Sequence, residues 1–141
     1  MPTGVPEEVY DEVYRLAMLI TESVAEADEE AEEFYYEQLR SYCLNEIDSG
    51  RELAFLWETL GDFTRDHETA MKYYERALEV AERNVAPSHS ILISMGERYL
   101  QEGRRDLAKE YLTAGLKQAF YAEDGEMIAR ADEALHRLSD N

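Results

Sequence analysis

Glu133 and His136 stand three residues apart, the spacing at which a helix offers a carboxylate and an imidazole to one metal ion. Di-iron carboxylate centres need two such Glu-x-x-His pairs and two further glutamates from facing helices, whereas this chain has a single pair. His67, His89 and His136 fall in separate segments without C-x-x-C or H-E-x-x-H support, so all three read as surface histidines. Cys43 is the only cysteine. A nucleophilic thiolate wants a positioned imidazole and electropositive surroundings, but its own segment is acidic and no histidine precedes position 67. Cys43 therefore reads as a small buried hydrophobe. The run Glu26–Glu33 is almost all carboxylate. On a helix Ala27 and Ala31 face inward at i,i+4 and the acids fan outward, as a solvated face or a docking patch for a basic partner. Calcium chemistry would need the loop glycine and alternating ligands of an EF-hand. No serine elbow, glycine-rich phosphate loop or paired-carboxylate geometry is visible, so the expectation is a non-enzymatic chain with no cofactor and no metal.

The charge balance narrows the partners. The net charge is −18, and residues 1–50 hold 14 Asp and Glu against Arg15 and Arg40 alone, a local balance of −12. Such a field repels phosphate backbones and anionic membranes and speeds encounter with basic proteins. Hydrophobic content of 45% and ten tyrosines argue against wholesale disorder. No apolar run approaches the ~20 residues of a membrane span. Residues 1–8 show neither a basic n-region nor an apolar h-region. A lone cysteine fits a reducing compartment, so the expected location is cytoplasmic.

These residues must be positioned by helices. Pro6 with Glu7 and Glu8 marks a start, and Val9, Val13, Leu16, Ile20 and Val24 form an apolar stripe to about Ala25. Asp28 is a candidate N-cap for a second helix carrying Phe34, Tyr35, Leu39, Tyr42 and Ile47, closed by Asp48, Ser49 and Gly50. A third helix is expected over about 51–63, and a fourth from the N-cap Asp66 to about Asn84. A fifth spans about 89–101 before Gly103, a sixth about 105–120, and a seventh about 126–138 after the turn at Asp124 and Gly125. No segment alternates long enough for a strand. The expectation is an all-α single domain: three antiparallel helix pairs over 7–48, 51–84 and 88–119, and a cap helix over 126–138.

One pattern recurs within the pairs. Ala31, Phe34, Tyr35, Leu39 is repeated as Ala70, Tyr73, Tyr74, Leu78 and as Ala108, Tyr111, Leu112, Leu116, with starts 39 and 38 residues apart. A fixed period in this range means one helical unit copied and stacked, with the alanines and aromatics of the pattern, Phe34, Tyr35, Tyr73, Tyr74 and Tyr111 among them, expected on the buried side of each second helix. Leu92, Met95, Gly96 and Tyr99, followed by Ala108, Leu112 and Gly115, resemble a tetratricopeptide (TPR) repeat. Trp57, Leu60 and Gly61, with Ala70, Tyr74 and Ala77, resemble it less completely. The gap from Gly61 to Ala70 is three residues shorter than that from Gly96 to Ala108. Either the third helix has lost a turn or the Trp57 match is partly coincidental. Gly96, Ala108 and Gly115 read as points of close helix approach. The first copy keeps only the second-helix signature.

The resemblance implies a short TPR-like helical-hairpin solenoid whose first helices line a partner-binding groove. It places Phe55, Glu58 and Asp62, with Ser90, Ile93, Glu97 and Gln101, on that groove. Tyr10 and Tyr14, four apart among acids, are further interface candidates from their chemistry. The functional expectation is an acidic protein-binding module for a basic protein or peptide, as an inhibitor, immunity protein or chaperone. The alternative is a self-associating scaffold, dimerised through the N-terminal helix because its stripe has no evident cover. An acidic mimic of nucleic acid is a third idea.

Overall fold

The computed structural model describes residues 4–139, and among them the chain is all-α, with no strand. Seven helices follow in order: α1 (Glu7–Ala25), α2 (Glu29–Asp48), α3 (Ala54–Phe63), α4 (His67–Arg83), α5 (His89–Gln101), α6 (Arg105–Tyr121) and α7 (Gly125–Ser139). The starts are set by local chemistry. Asp28 Oδ1 accepts from the Ala31 amide at 3.0 Å, and Asp66 Oδ2 accepts from the amide and hydroxyl of Thr69 at 2.9 and 2.7 Å. Each satisfies a donor that the first helical turn leaves without a partner. The Thr69 bonds hold the Asp66 carboxyl below its ordinary range.

The ends share one device. After α1, α2, α4, α5 and α6 the chain closes with an amide bonded to a carbonyl five residues back: Asp28 to Ser23, Arg51 to Glu46, Ala86 to Ala81, Arg104 to Tyr99, and Asp124 to Ala119. This Schellman closure needs a left-handed residue just before that amide. Glycine fills it at Gly50 and Gly103, but Ala27, Val85 and Glu123 adopt it at φ 56°, 52° and 55°. Ala27 is thus an exposed turn residue outside any helix, not the inward-facing position expected of it. The acidic run is split between the end of α1 and the start of α2.

Val85 is the most strained of the three, since a β-branched side chain is worst suited to positive φ. It is 93% exposed, so it contributes no packing in return. Val85→Gly should stabilise the chain by about 1 kcal/mol, the left-handed penalty less the extra unfolded-state entropy of glycine. A urea midpoint that rises at unchanged m-value is the expected result; an unchanged midpoint would mean the turn carries no strain.

The chain forms two compact units, up to Val80 and from Ala81 onward, dividing inside α4. In the first, Val9, Val13, Leu16 and Ile20 of α1 pack with Leu39 and Cys43 of α2 and Leu56 and Leu60 of α3. The stripe of α1 is therefore covered within its own unit, and the reason for expecting a dimer through it disappears. Val24, counted in that stripe, lies outside this core and is exposed.

The α3 helix begins at Ala54 rather than at position 51, and it ends two residues after Gly61, whereas α5 continues five residues past Gly96. The shorter gap is thus a lost turn of α3. The glycines have corresponding roles. A Cβ on Gly61 would lie 2.6 Å from the Tyr74 ring, and one on Gly96 would lie 2.6 Å from Leu112 Cγ. Tyr74 and Leu112 occupy the same place in their copies of the repeated pattern.

In the second unit, Ile93 of α5 is buried with Ala108, Leu112 and Ala119 of α6 and Ala131, Ala134 and Leu138 of α7. The α7 helix packs on both α5 and α6. Burial also shows where the repeated pattern departs from its expected phase. Ala70, Tyr74, Ala77 and Ala81 are buried in the second copy, as are Ala108, Leu112, Gly115 and Ala119 in the third. In the first copy Ala31 and Tyr35 are only half-buried, Phe34 is 58% exposed, and Leu39 and Cys43 form the core contact. Tyr73 and Tyr111, expected in the core, are half-buried.

Candidate functional site

Three of the sequence-predicted interface residues come together. Tyr10 and Tyr14 are one turn apart on α1, their rings stacked at 6.2 Å and inclined by 21°. Phe55, from the first turn of α3, meets the Tyr10 ring at 6.0 Å and 30°. Just before α3, Arg51 reaches Glu8 on α1 at 3.0 Å and Glu46 on α2 at 3.6 Å. These exposed pairs add little stability singly; Tyr10 and Phe55 are both packed against the core that α1, α2 and α3 share. The start of α1 and Arg51 together hold the Glu8 carboxyl below its ordinary value: its backbone hydrogen bond has the larger effect, Arg51 the smaller.

Tyr14 is 55% exposed, and Met18, one turn further, is 43% exposed. Met18 escaped the sequence reading although its spacing from Tyr14 was there to be seen. Glu7, Asp11 and Glu22 are exposed beside this row on the same helix. Of the α3 acids, Glu58 is half-buried, while Asp62 is exposed and accepts a hydrogen bond from the Tyr74 hydroxyl at 2.7 Å. A second aromatic contact places Trp57 at 5.9 Å from Tyr73, with Trp57 Nε1 donating to Glu52 at 3.1 Å. Arg76 Nη2 donates to the same Glu52 oxygen at 2.9 Å. These tie α3 to α4.

The α5 candidates fall in different surroundings. Ile93 is fully buried and belongs to the core, so it is withdrawn as a partner-binding residue. Glu97 is half-buried and accepts from Arg130 Nε of α7 at 3.1 Å to Oε1 and 3.2 Å to Oε2, and Arg130 Nη2 reaches Ser94 at 3.1 Å. Its carboxylate thus anchors α7. Ser90 is half-buried, and Gln101 is exposed at the last position of α5.

The chemistry-bearing residues take structural places. Cys43 is fully buried, and burial followed by the nearby Glu46 pushes its thiol up to about 12, so the nucleophilic thiolate is suppressed at neutral pH. His89 corrects the surface expectation: it is buried, with Nε2 at 2.9 Å from Asp124 Oδ2. Asp124 also accepts from the Met127 amide at 3.3 Å, at the start of α7. His136 is exposed, with Nδ1 at 2.8 Å from its own helix carbonyl at Asp132. Among the described residues no group of three or more His, Cys, Asp and Glu is arranged to hold a metal ion, and no helix is long and apolar enough to cross a membrane.

Asp124 links α5 to the start of α7, and its carboxyl is held below the ordinary aspartate value, chiefly by the His89 hydrogen bond. A depressed carboxyl stabilises the fold above its unfolded-state pKa and loses that contribution as pH falls through the folded value. The stability difference between the native chain and Asp124→Asn should therefore shrink as pH falls below about 4. Urea titrations at stepped pH would show this; a difference that grows below about pH 4 would exclude it.

No protein-family model matches this chain, and neither a curated protein nor a solved structure matches it.

Proposed function

We propose that this chain is a non-enzymatic, cytoplasmic protein-binding module, built of TPR-like helix pairs, that holds a basic protein or peptide on its acidic first half. The observation that carries the reading is the aromatic row Tyr14, Tyr10 and Phe55, partly open to solvent within a stretch whose charge balance is −12. Partly open aromatics within a strongly acidic stretch are the composition of an interface anchor with an electrostatic rim. A small module of this kind suits an inhibitor or immunity protein acting on a cationic target, or a chaperone. Immobilised protein should retain a basic partner from native lysate at low salt and release it as salt is raised, since rim charges are screened within about 8 Å at physiological ionic strength. Recovery of no protein partner at low salt counts against the reading.

A further inference from the structure

The exposed face of α1 has a shape as well as a charge. Tyr10, Tyr14 and Met18 recur every four residues, so they form one i±4 ridge rising about 6 Å per step. The complement of such a ridge is the groove between the i±4 ridges of a second helix. Tyr14 stacks on Tyr10, whose ring also meets that of Phe55 at a tilt, so the two tyrosines are held in one arrangement before any partner arrives, which lowers the ordering cost of association. Glu7, Asp11 and Glu22 border it and are exposed. The one basic residue of α1, Arg15, is turned to Glu12 at 2.5 Å.

From this geometry and charge complementarity we infer that α1 is a docking ridge for a cationic amphipathic helix. The partner's apolar stripe lies over Tyr14 and Met18, and its lysines or arginines face Asp11 and Glu22. This rests on the protein-binding reading above and specifies the partner's form: a helix with an apolar stripe, where charge alone would admit any basic chain.

The test uses the full chain and three labelled 18-residue peptides, read by fluorescence anisotropy at physiological salt. One is a Leu/Lys peptide patterned as an amphipathic helix, the second has the same composition scrambled, and the third replaces Lys by Glu. The patterned basic peptide should bind at least about tenfold more tightly than the scrambled one, and the acidic one should not bind. Tyr14→Ala/Met18→Ala should lose about tenfold in affinity with an unchanged circular dichroism spectrum, because both side chains are exposed in the free chain. Phe120→Ala/Tyr121→Ala, which removes exposed aromatics on α6, should bind as the native chain does. Equal binding of patterned and scrambled basic peptides, or an unaffected Tyr14→Ala/Met18→Ala variant, overturns the ridge while leaving the acidic-surface reading intact. Failure of both basic peptides to bind overturns the two together. Sedimentation showing a dimer that Tyr14→Ala/Met18→Ala dissolves would assign the ridge to a second copy of this chain and overturn the inference.

Discussion

Ile93→Ala is expected to destabilise the second unit by about 2–5 kcal/mol, the range for truncating a fully buried branched side chain. Ile93 is 0% exposed and packs among Ala108, Leu112 and Ala119 of α6 and Ala131 and Ala134 of α7. Four alanines of this cluster have no rotamer to swing into a void, so relaxation must come from its larger members such as Leu112 and Leu138, and the loss depends on how far they can move. Denaturant unfolding should show a lower midpoint. Gln101→Ala, at the exposed end of α5, should stay within about 0.5 kcal/mol of the native chain. A variant Ile93→Ala with native stability but weakened partner binding would return this residue to the groove where the repeat pattern had placed it.

The second large effect lies across the same helix contact. A Cβ on Gly115 would lie 2.6 Å from Ile93 Cγ1 and 3.2 Å from both the His89 carbonyl oxygen and the Ile93 amide nitrogen. Replacing a helical glycine normally gains up to about 1 kcal/mol of helix propensity. Here that gain is overwhelmed, because two of the three atoms are backbone and cannot rotate away; α5 and α6 must separate. Gly115→Val should therefore lose about 3 kcal/mol, at the upper end of the overpacking range. Separation would also strain the His89 to Asp124 bond and the start of α7 that Asp124 supports. Gly125→Ala is the control, since nothing lies within 4 Å of its added carbon; it should cost nothing. Unfolding curves for the two variants that coincide would show that the α5–α6 spacing has slack.

How far the sequence could be read differs from one feature to the next. Asp28, Asp66, Gly50 and Gly103 were recognisable as caps and stops because each acts on amides and carbonyls within a few positions of itself. The closures at Ala27, Val85 and Glu123 were invisible by residue type, since their conformation is imposed by the closure and not preferred by the side chain. Tyr10 and Tyr14 stood out as aromatics among acids, and Phe55 came from the repeat pattern alone. Nothing in the sequence said that the three would meet, because that depends on α1, α2 and α3 closing around one core.

Phase was the common source of error. Phe34 was expected inward and is exposed, whereas Ile93 was expected on a binding face and is buried. A helical period of 3.6 tells which residues share a face, but it leaves open which neighbour that face meets. In α2 the ambiguity is largest, because acids surround the first turn and weaken the contrast between faces. In α5 the face bearing Ile93 and Glu97 was open to a partner on paper, and α7 occupies it with Ala131, Ala134 and Arg130.

By itself the sequence determined that this protein is all-α, where most of its helices start and stop, and that its first fifty residues carry a strong negative field. Those properties are sums of local preferences and of charges that need no folding to be counted. Tertiary structure alone decided that the α1 stripe is covered, that Glu97 anchors Arg130, and that Tyr14, Tyr10 and Phe55 form one row. Each of these depends on groups up to dozens of residues apart reaching van der Waals or hydrogen-bond distance, and such contacts form only once the helices have chosen their neighbours.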